Sequence, residues 1–288
     1  MRSFYLLTIL LLTPLSGHTD DKLHVFVSVL PQKFLVEQVG GTHVDAEALV
    51  TPGHSPATYN PTPRQIQRFA SANVLFRTGV PFEDAWLNRL QSANPDLLLV
   101  DARDGVELLK LAAHGEHDHH ANELDPHIWT SPQVARKMAL QIKQVLTKLK
   151  PSASAEFEEN FQQLDAKLDR LDKHITTLLK PYHGESFLVF HPSWGYFANS
   201  YDLVQVAIEH EGKQPNARML AEQIAEAKAH DHKVIFIQSQ FSRQSALAFA
   251  NALKGRIVII NPLAEDYIQN LEKVSALIAD SFKSTSPQ

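Results

Sequence analysis

S-A-E-F-E-E-N-F-Q-Q-L-D-A-K-L-D-R-L-D-K-H-I-T-T-L-L-K, residues 154–180, is the stretch that decides the architecture. Phe157, Phe161, Leu164, Leu168, Leu171, Ile175 and Leu178 recur at alternating steps of four and three, with charged and amide side chains between them. That spacing puts them on one helical face. Pro151 and Pro181 bracket the run, so the pattern predicts one helix about 40 Å long, at ~1.5 Å per residue. Such a stripe either zips two chains into a coiled coil or lies across two parts of one chain. Only three heptads are present, and strand–helix alternation flanks them on both sides, which favours the second.

Upstream, L-H-V-F-V-S-V-L (23–30) reads as a buried strand, followed by a helix over 32–39 and a strand over 44–50. The loop T-P-G-H-S-P-A-T-Y-N-P-T-P (51–63) carries four prolines and ends in Thr62-Pro63, a good cap and first position for a helix to about residue 71. Strands at 73–78 and 96–102 enclose a helix at 82–91, and a further helix starts at Ser131-Pro132. Downstream the alternation resumes, with strands at 187–190, 204–208, 233–238 and 256–260 and helices at 194–200, 217–229, 242–253 and 267–282. The expected fold is α/β: two lobes of parallel β-sheet with flanking helices, joined by one long rigid helix. The expected division is a first lobe over 20–150 with a His-rich loop at 114–127, a connecting helix over 151–181, and a second lobe over 182–288. A ligand belongs between the lobes, near the carboxyl ends of the strands.

The 288 residues are 44% hydrophobic and 20% charged, ordinary for a water-soluble chain with ample cores. A formal charge of −5 argues against nucleic acid as partner. Cysteine is absent, so disulfides, thiolate metal sites and a cysteine nucleophile are excluded. Arg2, the apolar run 4–12 and the small residues after Pro14 read as a signal peptide over about residues 1–19, too short for a bilayer span of ~20 residues. Cleavage and export to a periplasm follow as the expectation.

Five of the fifteen histidines fall in H-G-E-H-D-H-H-A-N-E-L-D-P-H-I-W (114–129). His114, His117, His119 and His120 sit in a polar run, a compositional pointer to metal. His127 sits apart, between Asp125-Pro126 and Ile128-Trp129, and His191 has a similar setting in F-H-P-S-W-G-Y-F (190–197). Proline fixes the backbone at both, and aromatic neighbours would dry the site. Imidazole is a frequent ligand for zinc and related ions. A half-buried structural histidine at a strand end is the plain alternative for either one alone.

Taken in order, P-x-x-Y-N-P-T-P (56–63), D-P-H-I-W (125–129), F-H-P-S-W-G-Y-F (190–197), E-G-K-Q-P (211–215), Q-F-S (240–242) and N-P-L (261–263) resemble the metal-binding solute proteins of ABC-type zinc and manganese importers, zinc-type, over nearly the whole mature chain. The resemblance implies one cleft metal held by three histidines and a carboxylate. It also implies delivery to a membrane permease, with zinc the expected cargo and manganese the alternative, and a monomeric, non-enzymatic protein. His127 and His191 match two of the ligand histidines. Ala57 stands where the first would be, and Asn261 stands in place of the carboxylate. Alanine cannot bind metal, and a neutral amide oxygen is a poor match to the anionic oxygen that zinc takes.

His54, three residues before Ala57, is the candidate replacement. Water, Asn261, Glu265 or Asp266 could fill the fourth position; His114, His117, His119 and His120 form an accessory metal-collecting loop, from which His117, His119 or His120 could also fold back to complete the site. A zinc hydrolase is the alternative from another class, disfavoured because no H-E-x-x-H helix or evident general base is present. A divergent member acting as metal buffer is the third reading.

Overall fold

The computed structural model describes residues 22–111, 124–209, 217–230, 232–241 and 243–283. The expected signal peptide, the four clustered histidines at 114–120, the E-G-K-Q-P segment and Ser242 lie outside them. The chain order is β1 (Leu23–Val27), α1 (Leu30–Gly40), β2 (Val44–Ala48), α2 (Pro63–Phe69), β3 (Val74–Arg77), α3 (Pro81–Ala93), β4 (Leu98–Asp101), α4 (Pro132–Leu149), α5 (Ser154–Leu179), β5 (Ser186–Val189), α6 (Gly195–Ser200), β6 (Val204–Ala207), α7 (Ala217–Ala229), β7 (Val234–Ile237), α8 (Arg243–Leu253), β8 (Arg256–Ile259) and α9 (Tyr267–Lys283).

Two four-stranded sheets result, ordered β2-β1-β3-β4 and β6-β5-β7-β8, with every pairing parallel. The same order appears twice, so each lobe has one point, between its second and third strands, where successive connections diverge. In such sheets the crevice at that point, beyond the strand carboxyl ends, takes ligands.

Local chemistry sets the helix starts. Thr62 caps α2: its hydroxyl accepts from the Gln65 N–H at 3.3 Å, while Gln65 Oε1 accepts from the Thr62 N–H at 3.0 Å. Ser131 caps α4 by accepting from the Val134 N–H at 3.3 Å, with Pro132 at the first position.

The long helix α5 packs against α4, α1 and α9 of the same chain. Its apolar stripe is therefore consumed internally, and the coiled-coil alternative loses its seam. Phe157, Leu164, Leu168, Leu171, Ile175 and Leu179 are the fully buried positions. Leu178 is only half-buried. A straight helix turns 3.6 residues at a time and drifts ~20° per heptad from a 3.5 repeat, which hands the last contact from Leu178 to Leu179.

One continuous apolar core includes residues of both sheets, α5 and α9, with Trp129, Trp194, Leu263 and Tyr267 in it. A second, smaller core lies within the second lobe, around Ile235, Ala246 and Phe249.

Candidate metal centre

His191 lies two residues beyond the end of β5, and Glu209 two residues beyond the end of the neighbouring strand β6, so both sit at strand carboxyl ends. The Glu209 N–H donates to the Phe190 carbonyl at 2.7 Å, fixing that register. His191 Nδ1 lies 2.9 Å from Glu209 Oε2, and Glu209 is buried. On its open side the His191 ring stacks on Phe241, centroids 5.0 Å apart and planes 25° apart.

His127 repeats this arrangement on its own loop. Its Nδ1 lies 2.7 Å from Asp125 Oδ1, which also accepts the His127 backbone N–H at 2.9 Å. Trp129 meets the His127 ring edge-on at 5.3 Å. Asp125 and His127 are both buried. A carboxylate only accepts, so in each pair Nδ1 carries the proton and Nε2 is left with its lone pair. Carboxylate-oriented imidazole is the usual second layer of a zinc site.

The two rings meet with centroids 5.4 Å apart and planes at 80°. Two imidazoles, each ~2.0–2.1 Å from one tetrahedral zinc through a single nitrogen, place their centroids at roughly 5 Å. The observed separation is close to the one a shared ion would require.

The segment bearing His127 is fastened to the second lobe. Trp129 Nε1 donates to the Pro262 carbonyl at 2.7 Å, and the Tyr267 hydroxyl donates to the Trp129 carbonyl at 2.7 Å. The Ser131 and Ser200 hydroxyls are 2.8 Å apart, and the Leu109 N–H donates to the Tyr196 hydroxyl at 3.0 Å. Burial pushes the Tyr196 hydroxyl above the ordinary tyrosine range, and the Asp125 charge adds to this, so it stays protonated at neutral pH. The Asp125 N–H donates to the Leu109 carbonyl at 2.9 Å, and Lys110 and Leu124 form an antiparallel bridge. These contacts hold together the two chain ends that flank residues 112–123.

The remaining sequence candidates stand elsewhere. His54 and Ala57 are exposed on the 51–63 loop. His54 Nδ1 pairs with Thr51 Oγ1 at 3.0 Å, and its ring meets Tyr59 edge-on. It lines a pocket with Glu47, Thr51, Tyr59 and Gln65. Thr51 also lines the neighbouring cleft between the lobes, with Gly53, Ser239, Gln240 and Asn261. Asn261 Oδ1 accepts the Leu263 N–H at 3.0 Å, which closes a turn. Glu265 is ion-paired to Lys33, and Asp266 is exposed. Among the described residues no three or more His, Cys, Asp or Glu side chains converge as a metal-binding group. Sequence reasoning missed Glu209, Phe241 and the orienting role of Asp125. A carboxylate at the carboxyl end of the strand beside His191 was the available signal for the first.

Comparison with known proteins places these observations. The family model described as zinc-uptake complex component A, periplasmic (ZnuA), matches residues 25–281. The high-affinity zinc uptake system protein ZnuA of Yersinia pestis is 27% identical over 267 residues, covering 85% of this chain and 84% of its own. The ZnuA of Bacillus subtilis (strain 168) is 29% identical over 254 residues, covering 84% and 79%. A crystal structure of ZnuA superposes with a TM-score of 0.85 at 35% identity, covering 91% of this chain and 99% of its own. A ZnuA deletion mutant with zinc bound superposes with a TM-score of 0.85 at 34% identity, covering 93% and 100%. With its paired sheets, long connecting helix and oriented histidine pair, this chain belongs to the family of the periplasmic zinc-uptake complex component A.

Proposed function

We propose that this protein is a periplasmic solute-binding protein that captures zinc between its two lobes and hands it to an ABC-type import permease. The observation that carries the reading is the His127–His191 pair, 5.4 Å between centroids, each Nδ1 held by a buried carboxylate. Two neutral imidazole nitrogens favour zinc over manganese, which prefers oxygen donors. The relatives named above are zinc-uptake components by their own descriptions, which supports the cargo and the permease partner.

His54 is the third ligand in this reading. Thr51 engages its Nδ1, which leaves Nε2 for an ion, and Thr51 stands at the wall shared with the cleft. A rotation of the 51–58 loop is needed to bring the ring across. Asn261 is a weak contributor, since its oxygen already serves a turn. His114, His117, His119 and His120 act as an accessory collecting loop. The protein works as a monomer exported by a cleaved signal peptide over residues 1–19, with lobes at 20–150 and 182–288 and the connector at 151–181. We read it as a transport protein and not an enzyme, in keeping with the descriptions of the family and of its relatives.

Isothermal titration of zinc tests this. His127→Ala and His191→Ala should each weaken binding by at least ~100-fold, since removing a ligand must cost no less than the ~10–100-fold of an outer-layer partner. His54→Ala should weaken it less. Unchanged affinity in either of the first two variants sinks the site, and unchanged affinity in the third removes His54 from it.

A further inference from the structure

We propose that Gly195, on the second lobe, is a positioning residue for His127 and sets its ring nitrogen across the lobe boundary. The inference rests on the zinc reading above for its purpose, but not for its geometry. Gly195 is the first residue of α6. A Cβ placed there would stand 2.5 Å from Asp125 Oδ2 and 3.7 Å from Asp125 Cγ. Real Cβ atoms do not approach an oxygen so closely, so any side chain at 195 must push the Asp125 carboxylate away. The backbone at Gly195 is not in the left-handed region, so the glycine is required by space and not by torsion.

The carboxylate it admits has no slack. Oδ1 accepts from both His127 Nδ1 and the His127 backbone N–H, at 2.7 and 2.9 Å. Asp125 is also held at its own N–H by the Leu109 carbonyl, while the Leu109 N–H is held by the hydroxyl of Tyr196, the residue after Gly195. The start of α6 therefore contacts the Asp125 region twice, once by making room and once by a hydrogen bond. Displacing Asp125 frees Nδ1, lets the imidazole change tautomer and rotate, and spoils the pairing with His191. His191 is oriented by Glu209 and Phe241 and has no part in this contact.

The test uses the full-length protein and two readouts. In metal-free protein labelled with ¹⁵N-histidine, long-range ¹H–¹⁵N spectra should show slowly exchanging Nδ1–H signals for both His127 and His191. Gly195→Ala should abolish the His127 signal and leave that of His191. Loss of both, or of neither, overturns the proposal. The second readout is zinc affinity in a double-mutant cycle. Gly195→Ala and Asp125→Ala should each weaken binding ~10–100-fold, the span for second-layer partners, and the double variant should bind no worse than Asp125→Ala alone. Losses that multiply overturn the proposal. Should Gly195→Ala fail to fold, recovery of the Asp125→Ala melting temperature in the double variant reads the same coupling, and failure to recover it counts against the proposal. A wild-type protein that binds no zinc sinks the zinc reading, while the spectra still judge the positioning role.

Discussion

At the scale of single residues, the centre depends on side chains that would not touch the metal. Glu209 is buried and its partner is the Nδ1 of His191. Glu209→Gln keeps the shape but replaces an anionic acceptor with an amide that can present either end. Zinc affinity should fall by ~10–100-fold with the fold intact, and titration calorimetry alongside circular dichroism would show it. An unchanged affinity would mean that His191 is oriented by Phe241 alone. Another carboxylate, Asp101 at the end of β4, sets part of the acid response. Burial pushes its carboxyl up, but Arg103, bonded at 2.8 and 2.7 Å, and Arg77, at 2.7 Å, outweigh burial and hold it below the ordinary value of 3.8. The folded state thus binds this proton more weakly than the unfolded chain. The resulting stability is present above the unfolded value and is lost as pH falls through the folded one. Asp101→Asn should lower stability at neutral pH and flatten the decline below about pH 4, as read from urea midpoints across pH. A parallel decline in both proteins would refute this. Gly79, at φ 82°, lies so close to the Arg103 guanidinium that a Cβ would collide with it, so this ion cluster too is admitted by a glycine.

At the scale of elements, most of the fold was legible because the strands and helices alternate in apolar pattern and several helices begin at proline or a capping residue. Thr62-Pro63 and Ser131-Pro132 begin helices where their capping chemistry places them. What was not legible needed the third dimension. The step from Leu178 to Leu179 depends on helix drift against particular neighbours. The pairing of Glu209 with His191 depends on the register of β5 and β6. The Gly195–Asp125 approach spans 70 residues of chain, and no local pattern announces it. The α4–α5 contact shows which forces dominate. Arg136 reaches Asp165 through two bonds of 2.6 and 2.9 Å and Asp169 at 3.1 Å, with all three side chains about a third exposed. Such pairs contribute ~0–1 kcal/mol each. Leu168 on the same helix is fully buried, and its truncation to alanine should cost ~2–5 kcal/mol. Chemical denaturation of Leu168→Ala and Arg136→Ala should rank them in that order; the reverse ranking would mean that the ion cluster organises the connector.

At the scale of the whole molecule, sequence division and mechanical division differ for one proposed ligand. His127 precedes the connecting helix, yet Trp129 and Ser131 are hydrogen-bonded to Pro262 and Ser200, and Asp125 abuts Gly195 at the start of α6. The shared core through Trp129, Trp194 and Tyr267 makes a wide swing between lobes expensive, since it would expose buried aromatic area at ~25 cal/mol per Å². The histidine pair therefore stays assembled.

The pairing of Leu109 with Asp125 and of Lys110 with Leu124 has a consequence for how such proteins diversify. A bridge at the root of an insert insulates what lies below from whatever grows above. Loop-closure entropy rises only slowly, by ~0.6 kcal/mol for each doubling of length, so mutation can lengthen, shorten or recompose residues 112–123 without charging the change to the histidine pair. On the proposal that the histidines of this insert collect zinc, capture capacity and cleft affinity become separately heritable traits. Replacing 112–123 with a two-residue turn should leave cleft affinity for zinc within about threefold, ~0.6 kcal/mol, while lowering the number of zinc ions bound per chain. A collapse of the tightest binding step in that variant would show the two traits to be one.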